Sequence, residues 1–323
     1  MSWFFKKGYA WYNSKKNGPV FVAPHSGLPV PSGYRDVGTE GVAYLCSEKA
    51  GSSIISMIGR DRVNGIDFYR MMPSEKVAEN MFNINHNETE MAELKKKYAW
   101  AARNKMEYDQ KREIYGSFWN MVVSQESSVY VFVHTQLPLI KNHPSLMDVT
   151  TFEGRIFNKM IINEAVKKIN EDFASKFKEL EKEYNEYMLD YVSDYIFRKK
   201  KKYGKFEADS MRGLDRETML KNLLALKEYC SEEVYYMIKE KFNEEAFITG
   251  IKSALNRNND LCVTVEKNFK GKLAEYVVIP MVKKSRGVGF QVEVSQFLAD
   301  KHPELAAELI WAILDECNRI VKK

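Results

Sequence analysis

The sequence predicts an α/β protein: a mixed central sheet flanked by helices, with a long helical insertion. Three observations predict it. Short apolar runs of strand character stand near both ends of the chain, and strands so placed most economically share one sheet. Between them, residues 156–256 read as helix after helix. The chain closes on an amphipathic stretch, 303–321, with proline in its first turn. The expected organisation is an α/β part built from residues 1–155 and 257–323, with 156–256 inserted as a helical block.

Residues 19–23 (PVFVA) form an apolar run that ends at Pro24, as a buried strand feeding a loop does. The loop, PHSGLPVPSGYRDVGTEG, is rich in proline and glycine, and such loops beside core strands carry function. Thr39 can cap a helix running to Ala50, with Val42, Ala43, Leu45 and Cys46 on its buried side. Residues 53–58 read as a second strand and 66–69 as a short third. Asn87, with Glu90 completing a capping box, opens a long helix expected to reach about Ser124, in one piece or with a break. Residues 128–133 (SVYVFV) are the most strand-like run, ending at His134.

Apolar residues then recur at Ile162, Val166, Ile169, Phe173, Phe177, Leu180, Tyr184, Met188, Tyr191 and Tyr195. These steps of three and four make an eleven-residue repeat, close to the period of a straight helix. One continuous helix over 162–195 is expected, ending near the basic run 198–202, where cations suit a C-terminus. Its stripe must be covered by the helices that follow or by a second copy of the chain, giving a homo-oligomer through the insertion. Helices are expected at 215–230, 231–242 and 243–256, and strands at 261–266, 275–280 and 287–294.

Composition narrows the function classes. Of 323 residues, 45% are hydrophobic and 13% aromatic, enough for a packed core and against disorder. Lys+Arg number 49 against 44 Asp+Glu, and a net charge of +5 does not call for a nucleic-acid partner. The four cysteines are widely spaced with no C-x-x-C, which argues for free thiols over a disulfide framework or thiolate zinc site. No apolar run approaches the roughly 20 residues that span a bilayer, and the N-terminal run is too short for a signal peptide. A cytoplasmic protein without a membrane partner is expected.

Chemistry-bearing residues fall in telling places. His25 and His134 stand just past the C-terminal ends of two predicted strands, where open α/β sheets bind ligands. Glu293 lies within an apolar strand, where a carboxylate must be paired or functional. Two imidazoles and a loop carboxylate make a three-ligand metal site with an open position. A further carboxylate that binds no metal can then act as a base.

At this point the motifs, taken in order, resemble those of the N-formylglutamate amidohydrolases. Residues 22–40 (VAPHSGLPVPSGYRDVGTE) resemble that family's opening P-H-S-G…T-D. Residues 66–70 (IDFYR) resemble its V-D-L-N-R, and 131–135 (VFVHT) its D-x-H-S. Asp148, Thr150, Thr151 and Gly154 loosely match N-x-G-T…G, residues 268–271 (NFKG) match N-x-P-F-x-G-G, and 287–293 (GVGFQVE) match G-V-x-A-I-Q-L-E. The resemblance covers about 19–155 and 260–298 and leaves the helical middle uncovered.

It implies a zinc-dependent amidohydrolase of carboxypeptidase-like fold acting on a small-molecule substrate. Its metal ligands would be His25, Glu40 and His134, with Glu293 as general base and Arg70 on a substrate carboxylate or oxyanion. Asp67 and Asn268 would join Arg70 in binding substrate. Three positions depart from the pattern: Glu40 replaces an aspartate, Phe132 an aspartate and Tyr69 an asparagine. The rival reading is a non-catalytic relative that acts as an interaction or nucleic-acid-associated protein through its long basic helix.

Overall fold

The computed structural model describes residues 2–14, 18–27, 36–58, 65–83, 94, 97–125, 127, 129–257 and 260–322. It divides into two compact units, one of Met1–Gln136, Asp148–Ile169 and Val265–Lys323, the other of Leu137–Met147 and Asn170–Thr264. Residues 148–155 stay with the first unit, and so does 156–169, which the sequence assigns to the insertion. The second unit gains 137–147 and 257–264.

Eight strands form one mixed sheet: β1 (Ser2–Lys6), β2 (Tyr9–Asn13), β3 (Val20–Ala23), β4 (Ser52–Ser56), β5 (Val129–Gln136), β6 (Ser145–Thr150), β7 (Cys262–Val265) and β8 (Val288–Ser295). Their order is β1-β2-β4-β3-β5-β8-β6-β7. The β1–β2 hairpin joins β4 antiparallel, while β4, β3, β5 and β8 pair in parallel. The chain leaves β3 through α1 (Thr39–Lys49) to β4 on one side, and later places β5 on the other side. The winding therefore reverses between β3 and β5. The crevice outside the C-terminal ends of such a strand pair is where an open α/β sheet receives a ligand.

β3 and the first five residues of β5 are apolar because both faces of these central strands are covered. Val20, Val22, Tyr130 and Phe132 enter one core cluster with Phe68, Trp100, and Phe118 and Trp119 of α3 (Lys105–Ser124). On the opposite face Phe21 meets Trp311 of α11 (Pro303–Val321), ring centroids 5.7 Å apart. The Trp311 indole donates to the Cys46 carbonyl on α1 at 2.9 Å, tying the two helices together.

Several elements differ from expectation, each for a local reason. Residues 66–69 form a turn, because their backbone is taken up elsewhere: the Asp67 amide donates to the Ala99 carbonyl at 2.7 Å. The Ala99 amide in turn donates to the Met71 carbonyl, so 99–102 is a buried non-helical segment. Leu94 and Lys97 are helical, and after this break a second helix starts at Lys105, with the Asn104 side chain accepting from the Glu107 amide at 2.9 Å. The cap expected at Asn87 lies outside the described residues. Residues 275–280 are no strand but the end of a 3₁₀ turn and the start of α9 (Val278–Lys284). That helix buries Val278, Ile279 and Val282, a helical spacing within a β-branched run.

The long expected helix is two. α4 (Lys159–Asp172) and α5 (Ala174–Tyr203) are separated at Phe173, whose φ of −102° and ψ of 6° leave the helical region. Just before the break, in the second unit, Asn170 exchanges two hydrogen bonds with the Val263 backbone, at 2.9 and 2.8 Å. Apolar periodicity records which side is buried and is blind to a one-residue interruption. Past Met188 the buried positions are Val192 and Ile196, while Tyr191 and Tyr195 are only partly covered. Within the second unit α5 packs on α8 (Glu244–Arg257), which also meets α6 (Gly213–Tyr229) and α7 (Glu232–Glu240). The buried side of α5 is thus covered by a helix of the second unit. No helix among the described residues is long and apolar enough to cross a membrane.

Candidate metal centre

His25 follows β3 by two residues and His134 lies near the end of β5, so the adjacent parallel strands deliver both imidazoles to the crevice. The third member of the group is Asp36: His25, Asp36 and His134 are all buried, with one ligand atom from each lying within 4.8 Å of the others. Asp36 Oδ2 lies 2.9 Å from His134 Nδ1 and 3.5 Å from His25 Nδ1. Donor atoms around a tetrahedral ion at about 2.0–2.1 Å sit about 3.3–3.4 Å apart, and the two separations from Asp36 lie on either side of that value. His25 Nδ1 is buried with no hydrogen-bond partner among the described residues, as an imidazole awaiting a ligand is. Two imidazoles and a carboxylate suit zinc and also other divalent transition metals, so the donor set defines a metal site without selecting the ion.

Glu40, expected as the third ligand, is not in the group. It lies in the first turn of α1, where a carboxylate complements the helix N-terminus. Asp36 is held ahead of that helix. Its amide donates to the His25 carbonyl at 2.9 Å, and its carbonyl accepts from the Thr39 hydroxyl at 2.9 Å. Gly38 makes the turn between them with φ of +83°, and a Cβ there would stand 2.6 Å from the Ala299 carbonyl oxygen. A glycine is required at that position on both counts.

Asp67 and Arg70, expected to meet substrate, stand behind the histidine. Neither is among the residues that line the cavity described below. Asp67 Oδ1 accepts from His25 Nε2 at 2.9 Å and from the Tyr69 amide at 3.0 Å. Its other oxygen accepts from Arg70 Nε at 2.9 Å. The carboxylate fixes the His25 tautomer with the proton on Nε2, leaving Nδ1 to face Asp36. Such supports of a ligating histidine commonly contribute ten- to a hundredfold in metal affinity. Asp67→Asn should therefore weaken binding of a divalent ion by about that factor in competition with a chelating dye. An unchanged affinity would show that Asp67 does not orient the ligand.

Beside the cluster the first unit has a half-open cavity of about 520 Å³, lined by His25, Asp36, His134 and also by Tyr69, Asn268, Lys270 and Glu293. The parallel register sets His134 opposite Glu293 and Phe132 opposite Gln291. Partners in register present side chains to the same face, so the Glu293 carboxylate stands beside the imidazole. It accepts from Gln291 Nε2 at 2.5 Å. Glu293 is on the cavity wall and outside the three-member ligand group.

Asn268 and Lys270 reach the cavity on a loop held by two buried carboxylates. Asp148 accepts the amides of Lys267, Asn268 and Phe269 at 2.9–3.2 Å. Glu266 accepts the amides of Thr151 and Glu153 and the Thr151 hydroxyl, and pairs with Lys159. Burial pushes the Glu266 carboxyl up, but Lys159 and these donors outweigh it and hold the group down to about 2. The loop closes through Gly271, at φ +60°, where a Cβ would strike the Phe152 ring at 2.3 Å. The stretches around Asp148 and Asn268, which the sequence offered as separate motifs, thus form one knot.

Tyr69 is the residue that sequence reasoning passed over. Its ring lies against both imidazoles, 4.6 Å from His134 and 5.2 Å from His25 between centroids. Burial, and then the carboxylates of Glu293, Asp36 and Asp67, hold its phenol well above the ordinary value, so it is a neutral donor. Its only signal in the sequence was the departure from asparagine beside Arg70. No family model, curated protein or solved structure matches the chain.

Proposed function

We propose that the chain is a metal-dependent amidohydrolase, with zinc as its ion, that cleaves the amide bond of a small N-acyl amino acid or peptide-like compound. The observation that carries this reading is the convergence of His25, Asp36 and His134 at the ends of neighbouring parallel strands, with Glu293 in register beside His134 on one cavity. The carboxypeptidase-like fold implied by the family resemblance is part of the same proposal. A volume of about 520 Å³ falls in the range of small-molecule sites.

A zinc ion held by the three ligands would supply Lewis-acid polarisation of a carbonyl or of water. The chain's own residues divide the rest. Glu293 takes a proton from the attacking water and returns it to the leaving nitrogen. Phe269 and Ala274 provide apolar wall that keeps bulk water from the reacting atoms. Lys270 supplies a cation to an anionic group of the substrate, and the amide of Asn268 supplies a donor.

The reading through a basic helix has less support. Within the second unit Lys199 and Lys202 pair with Asp215, and Lys200 pairs with Glu244, so much of the basic run is neutralised internally. Phosphate binding would have to break those pairs.

A panel of N-formyl and N-acetyl amino acids, assayed for release of the free amine, tests the proposal. At least one member should be hydrolysed by zinc-loaded protein, with the activity lost on chelation and restored by zinc. Hydrolysis that survives complete metal removal, or none across the panel by fully loaded protein, contradicts it.

A further inference from the structure

Tyr69 is 4% exposed and lines the cavity, and its phenol has no hydrogen-bond partner among the described residues. A buried hydroxyl left without a partner costs stability, because water has been removed and nothing replaces it. The fold therefore gains nothing from the oxygen that phenylalanine would not supply. The ring is another matter: it packs on His25 and His134 and edge-on against Phe132, with centroids 6.0 Å apart. Its position is set by the backbone, since the Tyr69 amide donates to Asp67 at 3.0 Å and the next carbonyl, of Arg70, accepts from the Tyr115 hydroxyl at 2.9 Å. A rigidly held donor beside the candidate ligands, aligned by the same Asp67 that aligns His25, is a group prepared for something that enters the cavity.

The guanidinium that the family resemblance assigns to an oxyanion does not line this cavity, and its Nε is committed to Asp67. The geometry points to Tyr69 as a catalytic residue: its hydroxyl donates a hydrogen bond to the amide carbonyl oxygen as that oxygen acquires negative charge on becoming tetrahedral. This rests on the hydrolase reading above and adds the group that stabilises the oxyanion. A fixed donor aimed at developing charge needs no reorganisation during the reaction, which is why such donors are effective. Asn268 Nδ2, also buried without a partner among the described residues and on the same cavity, is placed to be a second donor.

The test uses the full chain loaded with cobalt(II), whose visible spectrum reports ligands entering the site, and two probes. Methylphosphonate is a tetrahedral oxyanion that accepts hydrogen bonds, and imidazole binds a metal ion without offering an oxyanion. Tyr69→Phe keeps the ring and is expected to take up cobalt with the wild-type stoichiometry and to melt no lower than wild type. It should bind methylphosphonate about ten- to a hundredfold more weakly and imidazole as well as before. Unchanged methylphosphonate affinity overturns the assignment, and so does an equal loss for both probes, which would make Tyr69 a shaping residue only. A wild-type protein that takes up no cobalt overturns the metal reading itself, and this inference with it.

Discussion

Glu293→Gln should keep its metal and lose turnover of any true substrate by roughly 10²–10⁴. The substitution preserves shape and hydrogen bonding while removing the only property proposed for this side chain, that of accepting a proton and giving it back. The register makes the expectation specific. Glu293 is opposite His134 in the β5–β8 ladder, so the carboxylate is held by backbone pairing and not by a mobile loop. Gln291, two residues before it on the same face, donates to it at 2.5 Å. A variant that loses metal along with activity would make Glu293 a ligand. Full activity would put the base elsewhere.

The second large effect separates two carboxylates that lie four residues apart. Asp36→Ala should reduce bound zinc from about one per chain to a small fraction, since two imidazoles alone make an incomplete site. Glu40→Ala should keep the zinc. The difference follows from Asp36 standing 2.9 and 3.5 Å from the two ring nitrogens while Glu40 lies outside the group. Elemental analysis of both variants after loading and desalting reads it directly. Retention by Asp36→Ala with loss in Glu40→Ala would restore the ligand set that the family resemblance implies.

The parts of the fold that could be read from the sequence are those with one dominant physical signal. β3 and β5 are buried on both faces and appear as apolar runs up to their C-terminal ends, and β8 reads the same way apart from Gln291 and Glu293. His25 and His134 stood out because each ends such a run. The β1–β2 hairpin and β6 escaped notice because their burial is uneven or their composition mixed: β1 is exposed along its whole length, and SLMDVT interrupts its apolar residues with Asp148. That aspartate is fully buried because it binds three amides some 120 residues ahead, which no local pattern announces.

The choice between Asp36 and Glu40 was similarly out of reach. Spacing along a loop rich in proline and glycine does not say which carboxylate returns to the strand end. The deciding contacts are a backbone hydrogen bond from Asp36 to His25 and a left-handed turn at Gly38. Tyr69 was obscured for the opposite reason, because a buried aromatic in a core segment ordinarily signals packing alone. A buried ring, an unpartnered hydroxyl among the described residues and a place on the cavity together distinguish it. Asp67 was legible as a special residue but not in its place, since a carboxylate that holds a ligand and one that holds a substrate look alike in sequence.

The central claim is that His25, Asp36 and His134 hold a metal ion. The most direct measurement is anomalous diffraction at the zinc edge from crystals of the zinc-loaded protein. A single strong peak is expected between His25 Nδ1, an Asp36 carboxylate oxygen and His134, at about 2.0–2.2 Å from each donor. A protein saturated with zinc in solution whose crystals show no peak there, or a peak only at other residues, would contradict it.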